Sequence, residues 1–121
     1  MNELWSRPLY WEGNSLKAFL RFPPGVQRNF GADLRALQLG RMPPGAKRLR
    51  GIAPSVVQLS SDAGGDTFRT VTLLLVGESV HVLDAFKKKS KSGIATPVLD
   101  LRLIQERARL VARREATGAR K

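Results

Sequence analysis

The chain has 121 residues, of which 42% are hydrophobic and 26% are charged, so it is long enough for one folded domain and too short for two. It has no cysteine and a single histidine, which excludes disulfide frameworks, thiol nucleophiles and cysteine-based zinc sites, and we expect no metal or other cofactor. No segment approaches the roughly 20 apolar residues of a membrane-spanning helix, and the N-terminus lacks a secretory pattern, so we expect a cytoplasmic protein that does not bind membranes.

The excess of basic residues is the most informative feature of the composition. Lysines and arginines number 21 against 10 acidic residues, which gives a formal net charge of +11 and a pI near 11.3. A positive field of this size on a small protein attracts polyanions, nucleic acid above all. The alternative is a solvated basic surface that has no specific ligand.

The first half of the chain has the signals of a strand followed by a helical hairpin. Residues 8–11 form a short apolar run that predicts an opening strand. Asn14 or Ser15 is expected to cap a short helix, which Pro23-Pro24-Gly25 ends. Pro24 suits the first turn of a second helix, whose apolar stripe consists of Val26, Phe30, Leu34 and Leu37.

The second half predicts an antiparallel meander and a C-terminal helix. Three β-rich runs, residues 56–59, 68–76 and 79–86, are joined by short turns, and the last two are apolar on both faces, as in central strands. After a lysine-rich loop, Thr96-Pro97 predicts the start of a helix with an apolar stripe up to Val111. From about Arg113 we expect a basic tail.

Two basic blocks flank the predicted meander. The block before it contains Lys47, Arg48 and Arg50, and the block after it contains Lys87, Lys88, Lys89 and Lys91. Because the ends of neighbouring strands converge in a meander, we expect Arg69 to join these blocks on one cationic surface. Such cations can bind phosphate, and they can also stabilise the charge that develops at phosphorus during phosphodiester cleavage. The residues alone leave both roles open.

Other candidate residues carry weaker signals. His81 lies between valines in a strand, which favours packing over a role as general base. Asp84 interrupts an apolar strand and is expected to pair with a lysine or Arg69, the alternative being proton transfer. Tyr10 and Trp11 are expected to anchor the first strand, although these rings and Trp5 could stack on bases.

Residues 10–110 resemble toxins of the RelE/ParE superfamily, in the branch of phage-derived, HigB-type toxins. The most specific segment is VHVLDAFKKKSKSGIATPVLDLRLIQERA (residues 80–108), which is similar to the family's apolar strand, (L)(H)AF-x-KK-(S/T) segment and TP-initiated helix. Supporting segments follow in the same order as in the family: LYWEG with SLKAFLRFP, LRALQLG, AKRLRG and GDTFR. The resemblance implies an α+β, RelE-like fold, in which an N-terminal helical hairpin packs on a twisted, mainly antiparallel sheet with a C-terminal helix.

The resemblance also implies a function, that of a type II toxin-antitoxin toxin that cleaves mRNA on the ribosome without a metal. Its implied partner is a cognate antitoxin, commonly a helix-turn-helix protein of the HigA kind, through which alone it would meet operator DNA. The ribose 2′-hydroxyl attacks the adjacent phosphorus, and the implied catalytic cations are Arg69, Lys88 and Lys89. The residues expected to hold the RNA backbone are Lys47, Arg48, Arg50, Lys87 and Lys91.

The chain departs from the family pattern at positions that matter for catalysis. Val56, Gln58 and Ser60 stand on the strand where the RelE archetype has catalytic lysines and many HigB-type relatives have Glu-Leu-Arg. Thr72 stands in place of a common tyrosine, and Asp84 in place of the histidine of the LHAF pattern. Either this branch has reorganised its acid-base set or its activity is weak.

Two other functions therefore stay open. A toxin of ParE character would poison DNA gyrase by protein contact, and a catalytically degenerate relative would only bind nucleic acid. The fold does not separate these functions, because one scaffold can carry all three. Mapping of mRNA cuts and a gyrase supercoiling assay would separate them.

Overall fold

A computed structural model of the chain describes residues 6–49, 55–75, 79–88 and 98–116. These residues form three helices and one five-stranded sheet, in the order β1 (Leu9–Trp11), α1 (Ser15–Phe19), α2 (Pro24–Gln38), β2 (Lys47–Arg48), β3 (Ser55–Ala63), β4 (Asp66–Leu75), β5 (Ser79–Lys88) and α3 (Val98–Ala116). The α+β architecture predicted from the sequence is confirmed. Among the described helices, none combines the length and the apolar character needed to cross a bilayer.

The sheet has the strand order β1-β5-β4-β3-β2 and is mainly antiparallel. Only β1 runs parallel to its neighbour, β5, while the three remaining pairs are antiparallel. The β3–β4 hairpin turns at Gly64 and Gly65, whose φ values of +60° and +85° lie in the left-handed region that glycine adopts without strain. The predicted meander is therefore present, and the predicted opening strand becomes its parallel edge.

Helices cover the sheet on both faces, which explains why the central strands carry apolar residues on both faces for much of their length. On one face, α1 and α2 pack against a cluster that includes Val57, Leu59, Phe68, Val80 and Val82. On the other face, α3 contributes Ile104, Ala108 and Val111 to a cluster whose strand members are Val56, Val71, Leu73 and Leu83. We refer to these faces as the α2 side and the α3 side.

A β-bulge in β5 changes which residues face each side. Val71 pairs with Asp84, but the next residue, Thr72, pairs with Val82, so that Leu83 is skipped. The backbone carbonyl of Leu83 accepts a hydrogen bond from the guanidinium of Arg107 on α3. Because side chains alternate along a strand, one skipped residue reverses the facing of every side chain after it.

Two expected local features differ from the structure because tertiary contacts use the same groups. Neither Asn14 nor Ser15 caps α1: the Ser15 hydroxyl donates to the backbone carbonyl of Val82 at 3.1 Å, and the Asn14 side-chain oxygen accepts from Arg107 at 3.0 Å. The helix α3 also continues to Ala116, past the point near Arg113 where we expected a tail.

A buried polar network holds the last turns of α3 on the sheet. Arg114 donates to Glu12 Oε2 at 2.9 Å, and the same oxygen lies 2.8 Å from Nδ1 of the fully buried His81. The hydroxyl of Ser79 lies 2.8 Å from His81 Nε2, so both ring nitrogens have partners. Because a carboxylate only accepts hydrogen bonds, Nδ1 carries a proton. The network joins α3 to a residue 102 positions earlier in the chain.

We expect Glu12→Gln to destabilise the protein by about 1–3 kcal/mol near neutral pH, because it leaves Arg114 and His81 facing a neutral amide. Burial by itself would raise the pKa of Glu12, but hydrogen bonds from His81 and Arg114, together with the charge of Arg114, bring that pKa below its ordinary value of 4.5. A lowered carboxyl pKa stabilises the folded state above pH 4.5, and this stabilisation is lost as the pH falls through the folded-state pKa.

Urea unfolding of wild type and Glu12→Gln at neutral pH and at about pH 3 measures this difference. The gap in unfolding free energy should narrow at the lower pH. A matched control is Glu106→Gln, which removes the same charge from an exposed position of α3. If wild type and Glu12→Gln differ equally in unfolding free energy at both pH values, the proposed contribution of the carboxylate charge is wrong.

Candidate nucleic-acid site

Three of the predicted cations, Arg69, Lys88 and Lys47, lie on the α3 side of the sheet. The register places them in successive rows: Lys47 opposite Gln58, Arg69 between Ser60 and Phe86, and Lys88 opposite Thr67. Neighbouring rows of one face are about 7 Å apart along a strand. Lys88 is therefore one row from Arg69 on the adjacent strand, while Lys47 lies two strands from Arg69, or about 10 Å across the sheet.

Arg69 is half-buried and has an unsatisfied donor. Its Nε–H is shielded from solvent and has no hydrogen-bond partner, and no salt bridge to Arg69 is found among the residues that the structure describes. The Nε–H of Arg114 is unsatisfied as well, but that guanidinium is paired with Glu12. A shielded donor on a partly buried cation costs free energy unless an acceptor such as an anion binds to it. Arg69 is thus the strongest anion-binding candidate on this face.

The bulge at Leu83 determines which lysine joins Arg69. Uninterrupted alternation from Val82 would turn Lys87 to the α3 side, whereas the observed register turns Lys88 there and Lys87 to the α2 side, opposite Phe68. Lys87 instead lies 3.7 Å from Asp66, in an exposed ion pair. Lys88 is half-buried.

The two residues of β2 are divided in the same way. Lys47 pairs with Gln58, and Arg48 pairs with Val57, which belongs to the core on the α2 side. Both side chains are exposed, but they project to opposite faces of the sheet. The expectation of one cationic surface is therefore wrong for Arg48 and Lys87, and their contact with RNA stays a prediction.

Three residues of the predicted cationic set cannot be placed. Arg50, Lys89 and Lys91 lie outside the described residues, as does Trp5. The predicted catalytic pair of adjacent lysines is accordingly represented in the structure by Lys88 alone.

The two polar departures from the family pattern at the centre of this face are buried. Gln58 is 6% exposed and Asp84 is 8% exposed, and both share a row with Val71. Asp84 Oδ1 accepts a hydrogen bond from the backbone N–H of Ala85 at 2.9 Å, which fixes the carboxylate beside the bulge. A buried carboxyl group therefore lies one row from Arg69.

The aromatic and histidine residues near β1 pack inside the protein, as predicted. His81 is fully buried and stacks on Tyr10 with ring centroids 5.1 Å apart, while Trp11 packs against Phe19 at 5.0 Å. His81, the only histidine of the chain, faces the α3 side opposite Leu73, but it is fully buried and two rows from Arg69, so no imidazole lies beside Arg69.

Sequence reasoning missed Phe86, which is half-buried and flanks Arg69 on the α3 side. Its ring could support a nucleobase there. Alternation counted from Val82 places Phe86 on the opposite face, and the bulge that corrects the count leaves no clear mark in the sequence.

The arrangement on the α3 side suits phosphate binding better than metal binding. Among the described residues, no group of three or more histidine or carboxylate side chains is close enough to hold a metal ion. Arg69 offers a planar fork of donors, and Lys88 offers a compact charge one row away. Together they can hold a phosphodiester and stabilise extra charge on its oxygens.

Comparisons with known proteins agree with this fold. The chain is similar to a solved structure of the Escherichia coli toxin RelE, a double arginine-to-alanine mutant in the free state, with a TM-score of 0.54 and 16% identity over 72% of this chain and 88% of that one. A search of curated proteins found no match. Residues 17–109 match the family model described as phage derived protein Gp49-like (DUF891). Because the match covers most of the sequence, this chain belongs to the Gp49-like family of phage-derived proteins.

Proposed function

We propose that the protein is the toxin of a type II toxin-antitoxin system and cleaves mRNA on the ribosome. The family and the RelE-like fold support a toxin, and the segment of residues 80–108 supports the HigB-type branch. The observation that carries the nuclease assignment is Arg69, whose shielded Nε–H has no acceptor among the described residues and whose charge has no carboxylate partner there.

In this proposal Arg69 and Lys88 act on the phosphate that is cleaved. The ribose 2′-hydroxyl loses its proton and its oxygen bonds to phosphorus as the bond from phosphorus to the 5′-oxygen of the next nucleotide breaks. The departing 5′-oxygen takes up a proton, which leaves a cyclic phosphate and a 5′-hydroxyl. Negative charge accumulates on the two non-bridging oxygens during this step. Cations fixed in a partly buried site stabilise that charge more strongly than water does.

Lys47 takes a different role because of its distance from Arg69. It is exposed, and about 10 Å of sheet separates the two strands, so we assign it to a neighbouring backbone phosphate. Lys89 is proposed as an auxiliary cation from its sequence position, and Arg50 and Lys91 as further backbone contacts.

Proton transfer has to rely on groups other than imidazole. His81 is buried and both of its ring nitrogens are hydrogen-bonded, so it does not reach a substrate on the α3 side. The buried carboxylate of Asp84 is one row from Arg69, where it would repel an incoming phosphate unless it is neutralised or accepts the proton.

The partners follow from the proposed function. A cognate antitoxin, helix-turn-helix and HigA-like, would neutralise the toxin and carry it to operator DNA. The ribosome and translated mRNA would be its targets. The net charge of +11 favours association with RNA at a rate that falls with ionic strength.

We expect Arg69→Ala to reduce mRNA cleavage by about a hundredfold to a thousandfold, because it removes a donor that acts on the developing charge. Arg69→Lys should recover only part of the activity, since an ammonium group keeps the charge and loses the planar fork. Inducible expression in bacteria, with growth curves and primer-extension mapping of transcript ends, measures both effects.

The controls separate the proposed function from its rivals. Arg109→Ala removes the same charge from an exposed position of α3 and should retain both arrest and cuts. A transcript that is not translated should stay intact. Growth arrest without mRNA cuts would overturn the nuclease assignment and favour a protein target such as gyrase. The absence of growth arrest would favour a degenerate nucleic-acid-binding module.

A second prediction compares the adjacent lysines of β5. Lys88→Ala should lower cleavage by roughly a hundredfold, because Lys88 shares the face of Arg69, whereas Lys87→Ala should lower it only a few fold. Single-turnover cleavage on programmed ribosomes gives the comparison. Equal losses would show that the bulge does not select the lysine that acts on phosphate.

A further inference from the structure

A second basic site lies on the α2 side of the sheet, where α2 ends beside β2 and β4. A pocket of about 220 Å³ at this point is lined by three arginines and by aliphatic side chains, chiefly Arg7, Arg41, Arg48, Leu37, Met42 and Leu74. Among the residues that the structure describes, none of those that line the pocket is a carboxylate. It is separated by the sheet from Arg69 and Lys88, because Arg48 and Lys47 project to opposite faces.

Arg7 is held in place by the end of α2. Its backbone N–H donates to the carbonyl of Gln38 at 2.9 Å, its carbonyl accepts from the Gln38 side chain at 2.8 Å, and its Nη1 donates to the carbonyl of Leu37 at 3.3 Å. The guanidinium lies directly over Gly40, where an added Cβ would be 2.9 Å from Nη1. One wall of the pocket is thus a positioned cation.

The C-terminal end of a helix normally repels anions, because its last carbonyls are unpaired. Here those carbonyls already accept hydrogen bonds. The backbone N–H of Gly40 donates to Leu37, that of Arg41 donates to Ala36, and Arg7 donates to Leu37 and Gln38. The full positive charges of Arg41 and Arg48 therefore outweigh the remaining partial charge of the helix end, and the pocket favours an anionic ligand.

The floor of the pocket distinguishes between classes of anion. Leu37 is buried, Leu74 is half-buried and Met42 is 45% exposed, so the space between the arginines is aliphatic. The described part of the lining contains no aromatic ring on which a nucleobase could stack, and no amide or hydroxyl side chain that could read a base edge. A ligand in which carboxylates flank an aliphatic side chain complements both the positive charges of the arginines and the aliphatic floor.

We propose that this pocket binds an acidic segment of a partner protein, with one aliphatic side chain seated on Leu37, Met42 and Leu74 and flanking carboxylates paired with Arg41 and Arg48. Planar guanidinium groups pair with carboxylates in two parallel hydrogen bonds, which gives such a site orientation as well as charge. A partner bound only here leaves the Arg69 face uncovered. The proposal uses no property of the nuclease, so it stands or fails separately from the proposed function.

The test uses a short fluorescent peptide that has one leucine between two runs of glutamate, titrated against the purified full chain. We expect Arg41→Ala and Arg48→Ala each to weaken binding about threefold to fivefold. Lys47→Ala is the matched control, since it removes the same charge from the adjacent, equally exposed residue on the other face, and it should leave the affinity unchanged. Serine in place of the peptide leucine should weaken binding about tenfold.

Backbone amide shifts in NMR spectra locate the bound peptide. Shifts confined to Gly40, Leu74 and their neighbours support the pocket. The proposal is overturned if no shifts occur there, if Arg48→Ala and Lys47→Ala weaken binding equally, or if the serine peptide binds as well as the leucine peptide. It is also overturned if a single-stranded RNA of matched charge shifts the same amide signals and binds more tightly than the peptide does. That result would make the pocket a nucleic-acid site.

Discussion

The β-bulge at Leu83 is the constraint on which the arrangement of the functional groups depends. Both faces of a central strand are covered, so a side chain turned to the wrong face enters a packed core and not solvent. By skipping Leu83, β5 turns Ala85 to the α2 side and Phe86 and Lys88 to the α3 side. The Leu83 carbonyl is engaged by Arg107, which also contacts Asn14, so that α3 and the start of α1 are both tied to the bulge. A local irregularity of the backbone thereby fixes the helices and the cations together.

The position of α3 follows from polar contacts at one end and apolar contacts in its middle. Ile104, Ala108 and Val111 cover the part of the sheet that contains Val71 and Leu73, and Arg114 ties the last turn to Glu12. Arg69 precedes Val71 by two residues on the same face and is not part of that core. The helix thus shields the sheet next to Arg69 and leaves Arg69 half-buried, in a setting of lower polarity than open solvent.

The sequence predicts those parts of the fold that depend on local periodicity. The stripe that includes Val26, Phe30 and Leu34 is buried in α2 because residues four apart share one helix face, and the β-rich runs form strands where expected. The cap of α1 could not be predicted, since Ser15 is used by Val82, which lies 67 positions later. The end of α3 depends on Glu12 in the same way.

The sequence predicts which residues are available for the candidate site, but it does not predict how they are arranged. The blocks that contain Lys47, Arg69 and Lys88 stand out by charge, but their facing depends on strand register and on the bulge, which long-range pairing decides. Phe86 escaped notice for the same reason. Charge counts in a sequence therefore identify which residues are available to bind an anion, and the backbone decides which of them act together.

Strand alternation divides the basic blocks between two surfaces that differ in what lies between the cations. On the α3 side, Arg69 is flanked by the hydroxyl of Ser60 and the ring of Phe86. On the α2 side, Arg48 stands over an aliphatic floor. The net charge of +11 attracts any polyanion to either surface, since the field of the whole protein acts over a distance of about one Debye length. Selectivity has to arise at contact, where a ring and a hydroxyl suit a nucleotide and packed methyl groups suit an aliphatic side chain.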